Sequence, residues 1–305
     1  MDSEQLSYHD ADATRGLMAS PGGFDPVEFK QNIRKEWRSA AGGWRRWLDV
    51  VEAPEGGQRH SAKLVALAEL RPGGSVLDVG GGYGEPSLTA ARVVGAQGHV
   101  VCTDISEEML ATARERAGEA GITNVEFIAP DAEELDFEDE TFDAVLSRAT
   151  LMFLPDVAGT LRRLHGFLRP GGKLAASVWG PIAAVQFAAA FPVVAQELGL
   201  PPPPPGRPGA FALSDPERLA ALVTGAGFRD VESGTVPVIF ETDSPERYAD
   251  FIRDVAPQLT TMLAGHPTDV QERVWGKIMD AYRPFQDADG RVRTENQAIW
   301  VRGIK

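Results

Sequence analysis

The sequence predicts an α/β fold in which a mostly parallel sheet is covered by helices on both faces. Three observations predict it. Short, near-continuous apolar runs recur between residues 75 and 178, helical stretches separate them, and the first run ends in a cluster of glycines. Strands buried on both faces lose the polar alternation of half-exposed ones, and a strand–helix–strand repeat is the connection that parallel pairing requires.

Ahead of the repeats, residues 1–23 are small and polar, without helical or strand period, and are expected to be a mobile tail. Residues 24–70 read as N-terminal helices that form a lid. Phe29, Ile33, Trp37 and Ala40 fall at spacings of three and four, and Trp44, Trp47, Leu48 and Val51 continue the series. Gly42 with Gly43, and Gly56 with Gly57, are expected to separate the pieces. The core spans 71–180. Ser75–Val79 is its first strand, 86–94 its first helix and His99–Thr103 its second strand. Ser106 caps a helix carrying Met109, Leu110, Ala113 and Ala117. Val125–Ile128 and 142–146 follow as strands. Asp156 then caps a helix with Val157, Leu161, Leu164 and Leu168 on one face, ended by Pro170, Gly171 and Gly172, and 173–178 is the fifth strand.

Beyond Trp179 the regularity breaks. Residues 181–212 read as an insertion, an apolar helix followed by the stiff prolines of 201–205, which suit a spacer. Residues 213–243 return to the core with a helix at 215–225 and a strand at 231–240, and 244–285 read as a helical cap that begins at Ser244 and Pro245. Residues 286–305 should supply a last strand around 298–301, antiparallel to its neighbours. The whole is then a Rossmann-like, seven-stranded, mostly parallel sheet with helical lid and cap insertions.

Composition narrows the function. With 30 Lys and Arg against 44 Asp and Glu, the formal charge is −14, a surface that repels phosphate backbones, so no nucleic-acid partner is expected. The single cysteine, Cys102, permits no internal disulfide and no multi-cysteine metal site; it lies in the apolar run after Val100 and Val101, where packing is its plain role, and no metal is expected. No apolar stretch reaches the length of a membrane span and no signal-peptide core is present, so a cytoplasmic monomer or homodimer acting on a small molecule is expected.

The strand Val76-Leu77-Asp78-Val79 runs into Gly80-Gly81-Gly82-Tyr83-Gly84 and then a helix. Glycines there let the backbone pass close under a ligand and leave the N–H groups of the helix start free. A dinucleotide fingerprint places glycines first, third and sixth, but counting from Gly80 the sixth residue is Glu85. A carboxylate there would repel a pyrophosphate and tolerate a zwitterionic aminoacyl group, which argues for S-adenosylmethionine over NAD. Asp104, at the end of the second strand, is placed to accept both ribose hydroxyls; its plainer reading is a helix-flanking acid. Asp131 can accept from the adenine amino group or simply close a turn, and Ile105 and Met109 can cover the adenine faces or pack in the core. Asp78, Tyr83, Ala132 and Ser147 complete the candidate cofactor set with Gly80, Gly81 and Gly82.

These stretches occur in a set order: 80–84 with Glu85 and Pro86, Thr103-Asp104-Ile105-Ser106, Asp131-Ala132-Glu133-Glu134-Leu135, Phe142-Asp143-Ala144-Val145 and Leu168-Arg169-Pro170-Gly171-Gly172. Over residues 70–180 the chain resembles the class I methyltransferases related to the ubiquinone/menaquinone C-methyltransferases. The resemblance implies S-adenosylmethionine on the 80–84 loop, Asp104 on the ribose, and Asp131 with Ala132 at the adenine. Residues 181–297 lie outside the shared motifs, so the resemblance carries no quinone assignment.

A sulfonium methyl is already activated, so such an enzyme must mainly align the acceptor and exclude water; a general base is needed only where the acceptor must lose a proton. Of the five histidines, His60 is the candidate base, in line with Leu64 and Leu67 on a helix before the sheet; His9, His99, His165 and His266 read as tail, strand-end, helix and turn residues. Arg148, after the fourth strand, lies at the carboxyl edge of the sheet and could anchor an anionic substrate or the cofactor carboxylate, or pair with a nearby acid. Trp37, Trp44 and Trp47 could roof a pocket or pack in the core, with Trp44 and Trp47 the candidate substrate contacts.

Two further classes share the sheet. A nicotinamide oxidoreductase would show the third glycine and a Tyr-x-x-x-Lys pair, neither of which is recognisable; a cofactor-binding protein of this fold catalysing a non-methylating reaction such as cyclisation has no distinguishing sequence mark. Tyr248, Phe251, Ile252 and Val255, and likewise Val270, Val274, Ile278 and Tyr282, recur at helical spacing, giving each helix one apolar face to bury. Residues 24–60, 181–212 and 244–285 are therefore expected to converge as a roof beside Gly82 and Arg148, enclosing a small, hydrophobic or aromatic acceptor; a dimer interface is the other use of those faces.

Overall fold

The computed structural model describes residues 24–201, 204 and 206–305. The expectations for the 1–23 tail and for most of the proline run at 201–205 lie outside the described residues.

Seven strands form one sheet: β1 Ser75–Val79, β2 His99–Thr103, β3 Val125–Ile128, β4 Phe142–Arg148, β5 Leu168–Trp179, β6 Arg229–Thr242 and β7 Val292–Ile304. Their order is β3-β2-β1-β4-β5-β7-β6. The pairs from β3 to β5 are parallel, and β7 runs antiparallel to both β5 and β6, as expected for the last strand. After β3 the chain crosses to the other side of β1, so connections leave β1 and β4 in opposite directions and open a crevice at their carboxyl ends. Around the sheet lie α1 Pro26–Arg46, α2 Leu48–Val51, α3 Arg59–Leu67, α4 Ser87–Val94, α5 Glu107–Glu119, α6 Val157–Phe167, α7 Ala190–Leu198, α8 Pro216–Gly225, α9 Pro245–Val255, α10 Pro257–Ala264 and α11 Thr268–Tyr282.

Short polar side chains start α1, α5, α6 and α9 by taking otherwise unpaired backbone donors. Asp25 accepts from Val27 N at 2.8 Å, Ser106 from Met109 N at 3.3 Å, Asp156 from Gly159 N at 2.8 Å and Ser244 from Arg247 N at 3.2 Å.

Two boundaries differ from the sequence reading. Gly42 and Gly43 do not break the first helix; α1 runs through them. A Cβ at Gly43 would lie 2.3 Å from the Asp254 carbonyl oxygen, so the glycine permits close packing of α1 against α9. Likewise Pro170, Gly171 and Gly172 do not end a helix. α6 stops at Phe167, and Leu168 already pairs with Phe142, leaving the glycines as an irregularity within β5. Gly56 does interrupt the chain (φ −96°, ψ −120°), in the irregular turn Pro54–Gln58 between α2 and α3.

One apolar core lies against each face of the parallel strands, built around Leu77, Val145 and Leu164 on one side and Val76, Leu64 and Leu146 on the other. A third core joins α1, α7 and α9–α11 to β6, and in it Tyr248, Phe251, Ile252, Val255, Val274, Ile278 and Tyr282 are buried. The amphipathic helices of 244–285 thus spend their apolar faces within the chain. Among the described residues no helix is long and apolar enough to cross a membrane.

Candidate active site

A cavity of about 1150 Å³, open solvent at its mouth included, runs along the carboxyl edge of the sheet from the ends of β2 and β3 to β6. At one end it is lined by Gly80, Gly81, Gly82, Thr103, Asp104, Ile105 and Met109, with Asp131 and Ala132 beyond. At the other it is lined by Trp37, Trp44, Tyr83, Phe153, Trp179 and Phe240, with His60 and Arg148.

The loop after β1 is shaped by backbone that only glycine adopts without strain: φ is +72° at Gly80 and +53° at Gly82. Space excludes side chains as well. A Cβ would meet Thr150 Oγ1 at 2.2 Å from Gly80, and Cys102 Sγ at 2.5 Å from Gly81. The Gly82 N–H donates to Asp104 Oδ2 at 3.0 Å, and Ser106 N donates to Oδ1 at 2.8 Å. Each Asp104 oxygen is therefore held by one backbone donor and keeps acceptor capacity towards the cavity. Burial pushes the Asp104 carboxyl up to about 6, although the two backbone N–H groups favour its charge.

Asp131 lies at the same end, its Oδ1 accepting from Glu133 N at 2.9 Å. Its Oδ2 pairs with Lys30 Nζ at 3.0 Å, and Lys30 also reaches Glu133 Oε2 at 2.6 Å. Lys30 belongs to α1, so the lid is pinned to the acid expected at the adenine. Phe29, Ile33, Trp37 and Trp44 of the same helix line the cavity, at intervals that keep them on one face.

At the other end Arg148 is enclosed. Its Nη1 donates to Glu52 Oε1 at 3.0 Å, to the Gly57 carbonyl at 3.1 Å and to Ser61 Oγ at 3.0 Å, while Nη2 donates to the Tyr83 hydroxyl. That hydroxyl in turn donates to Glu52 Oε1 at 2.7 Å. Burial opposes the guanidinium charge, but Tyr83, Glu52 and Glu85 outweigh it and keep Arg148 protonated. Of the two roles considered for Arg148, the structure shows the pairing one: the anchor for an anion is already occupied by Glu52. The Tyr83 ring stacks on Trp44 with centroids 5.4 Å apart, and its phenol pKa is raised, chiefly by burial.

His60 does line the cavity, with Nε2 2.7 Å from Ser177 Oγ. Burial, helped by the Arg148 charge, lowers its pKa to about 3, so the ring is neutral and a poor general base. His60 and Arg148 thus both line the cavity, His60 as a neutral ring and Arg148 in the second of its two considered roles, paired with an acid. Asp78 and Ser147 are not among the lining residues. Asp78 is fully buried beneath the loop, its Oδ2 accepting from Ser87 Oγ at 2.6 Å and its Oδ1 without a hydrogen-bond partner; burial pushes it up to about 7. Ser147 donates to the Val79 carbonyl at 3.0 Å and ties β4 to β1.

The roof also needs correcting. Residues 24–60 cover the cavity, but none of its lining residues comes from 181–212 or 244–285 among the described residues. Those segments stand one layer back: Phe187 packs on Trp179 at 4.9 Å, and Phe251 on Phe240 at 5.5 Å. Trp47 goes with them. It is buried against Phe251 at 5.5 Å, and its indole N–H donates to Asp254 Oδ2 at 2.8 Å, so it ties the end of α1 to α9, and of the two only Trp44 lines the cavity. The apolar wall is supplied instead by Trp37, Trp44, Phe153, Trp179, Val238 and Phe240. Sequence reading missed Lys30, Glu52, Phe153, Trp179, Val238 and Phe240. Trp179 was within reach, since it ends a strand at the carboxyl edge; Glu52 and Lys30 carry no mark outside the folded chain.

The family model described as a methyltransferase domain matches residues 70–192. The ubiquinone/menaquinone biosynthesis C-methyltransferase UbiE of Vibrio campbellii is 41% identical over 105 residues, covering 34% of this chain and 40% of that one. The demethylmenaquinone methyltransferase of Listeria welshimeri is 41% identical over 113 residues, covering 37% and 48% respectively. The chain thus spans less than half the length of these curated relatives. Among solved structures it is similar to the [4+2]-cyclase SpnF, with a TM-score of 0.57, 20% identity, and coverage of 90% of this chain and 96% of that one. It is also similar to a Haemonchus contortus phosphoethanolamine N-methyltransferase, solved with phosphomonomethylethanolamine and S-adenosylhomocysteine, at a TM-score of 0.56 and 20% identity, over 91% of this chain and 60% of that one. At that identity the structural likeness establishes the fold. Residues 70–192 thus match a methyltransferase-domain model, and the sheet that carries them has the Rossmann-like order.

Proposed function

We propose that the chain transfers a methyl group from S-adenosylmethionine to a small, hydrophobic or aromatic acceptor. The observation that carries this is the single cavity that joins the glycine loop and Asp104 to an aromatic chamber at the other end of the sheet edge. The residues present fit the cofactor. The loop can hold this tight turn only as glycine, since a Cβ at Gly80 or Gly81 would strike Thr150 or Cys102, and it lines the cavity beside the Asp104 carboxylate, which has acceptor capacity to spare. Gly80, Gly81 and Gly82 would hold its aminoacyl end, Asp104 its ribose hydroxyls, and Ile105, Met109, Asp131 and Ala132 its adenine. When bound, it supplies a methyl group activated on a sulfonium cation.

What the chain adds is alignment and exclusion of water. Trp37, Trp44, Phe153, Trp179 and Phe240 give an acceptor flat apolar surfaces, and α1, latched by Lys30, closes the cavity over them. Neither His60, neutral down to about pH 3, nor the paired Arg148 is suited to removing a proton. Methyl-labelled cofactor incubated with phenols, quinols and small carboxylic acids tests the proposal. Label in an organic-soluble product is expected with at least one apolar acceptor. Cofactor binding with no transfer to any of them would favour a non-methylating use of the same site.

A further inference from the structure

Among the described residues, every formal charge on the acceptor side of the cavity is already paired inside the protein. Arg148 is matched by Glu52 at 3.0 Å, with the Tyr83 and Ser61 hydroxyls and the Gly57 carbonyl taking its other hydrogen bonds. Glu85 is matched by Arg116 at 3.3 Å and accepts from Thr89 Oγ1 at 2.7 Å. The Tyr83 phenol stays protonated and the His60 imidazole stays neutral. The rest of the wall is Trp37, Trp44, Phe153, Trp179, Val238 and Phe240. A charged acceptor entering here sheds its water and meets no counter-ion; to gain one, an anion must pull Arg148 from Glu52 and leave a buried carboxylate unpaired. A protonated amine faces Arg148 at the same end.

Among the described residues two side chains of this chamber have capacity left, the Trp44 indole N–H, buried without a hydrogen-bond partner, and the His60 imidazole, which alone can serve as donor or acceptor. The His60 ring is fixed by its Nε2 contact with Ser177 Oγ, lies 6.2 Å from the Trp179 ring, and its other nitrogen has no partner among the described residues. We propose that the acceptor is an uncharged, flat molecule whose one hydrogen-bonding group, a hydroxyl or carbonyl, is received by His60, with Ser177 as the residue that holds the ring in place. His60 is then a specificity-determining residue, and the charge selection is set by Glu52. This rests on the methyltransferase reading of the cavity, and concerns only what its second half admits.

Three probes of one shape test it: 2-naphthol, 2-naphthoate and 2-naphthylmethylamine, uncharged, anionic and cationic at neutral pH. Each is titrated by calorimetry into the full chain saturated with S-adenosylhomocysteine. Naphthol is expected to bind, and both charged probes to bind at least about tenfold more weakly. Naphthoate or the amine binding as tightly as naphthol overturns the proposal, as does naphthol failing to bind a protein that does bind S-adenosylhomocysteine. Failure to bind S-adenosylhomocysteine at all strikes the methyltransferase reading instead. In Glu52→Gln, with the Arg148 charge unmasked, naphthoate should gain affinity over the unchanged chain. Ser177→Ala serves if that variant does not fold: it should weaken naphthol several-fold while leaving the charged probes excluded. Naphthol affinity unchanged in Ser177→Ala overturns the role given to His60.

Discussion

Replacing Asp104 by alanine should separate cofactor binding from folding. Its carboxyl is pushed from 3.8 to about 6 by burial, a shift of about two units, which at 1.36 kcal/mol per unit is ~3 kcal/mol. The sign follows from the raised value. The folded chain binds this proton more tightly than the unfolded chain, so the cost is absent below pH 3.8, grows from 3.8 to about 6, and is complete above that. At pH 7.5 alanine removes this cost, but it leaves the Gly82 and Ser106 N–H groups without their acceptor, at about 1–3 kcal/mol each. The two effects nearly cancel, and the melting temperature should move by only a few degrees. Binding has no such compensation. Losing a charged acceptor from two ribose hydroxyls costs about 1.5–3 kcal/mol, roughly a 10- to 150-fold weaker dissociation constant for S-adenosylhomocysteine by calorimetry. In the unchanged chain affinity should also fall as pH drops through about 6, while the variant stays flat over that range. An unchanged dissociation constant, or the same pH profile in both proteins, would refute the ribose assignment.

Five further substitutions probe the rest of the site and its supports. Lys30→Met removes the contacts with Asp131 and Glu133; a loss near ~1 kcal/mol should speed S-adenosylhomocysteine release about fivefold in stopped-flow fluorescence, and salt should speed release in the unchanged chain more than in the variant. Trp47→Ala should cost about 3–5 kcal/mol of stability in denaturant melts, whereas Trp44→Ala, which loses a partly buried ring stacked on Tyr83, should cost less and weaken acceptor binding more. Gly80→Ala forces a side chain to φ +72° and into Thr150, so roughly 1–3 kcal/mol of stability and measurable cofactor affinity should be lost together. For His60, a pKa lowered from 6.5 to about 3 means stability that is complete above pH 6.5 and drains away on acidification, on the order of 5 kcal/mol by pH 3. Asp78 and Asp104, raised to about 7 and about 6, pull the other way over part of that range. His60→Gln should therefore flatten or reverse the acid decline of the melting temperature, and an unaltered acid limb would contradict the buried neutral ring.

The alternating core was legible because its signals are local. A strand buried on both faces reads as an apolar run, Ser106 and Asp156 announce helix starts, and 80–84 requires glycine for its own backbone; the structure places all of them where the pattern did. Asp104 and Asp131 stood out for the same reason, the first directly after the end of β2 and the second three positions after the end of β3. What could not be read were choices settled by packing between distant segments. Gly43 looks like a break until the Asp254 backbone is seen against it, and Trp44 and Trp47, three residues apart, go to opposite fates because one meets Tyr83 and the other Phe251. Arg148 at a sheet edge reads either as a ligand anchor or as half of an ion pair; only the fold brings Glu52, 96 positions earlier, to its guanidinium and decides between them. The cap helices carried a correct amphipathic pattern, which states that a face is buried and not what buries it.

The most direct test is a crystal structure of the chain with S-adenosylhomocysteine bound. The expected density places both ribose hydroxyls on Asp104, the adenine between Ile105 and Met109 with its amino group towards Asp131, and the sulfur facing the chamber of Trp44, His60 and Trp179. Ligand found elsewhere on the chain, or lying with its adenine in the aromatic chamber and its amino acid at Asp131, would contradict a methyl donor held on the glycine loop and an acceptor held beyond it.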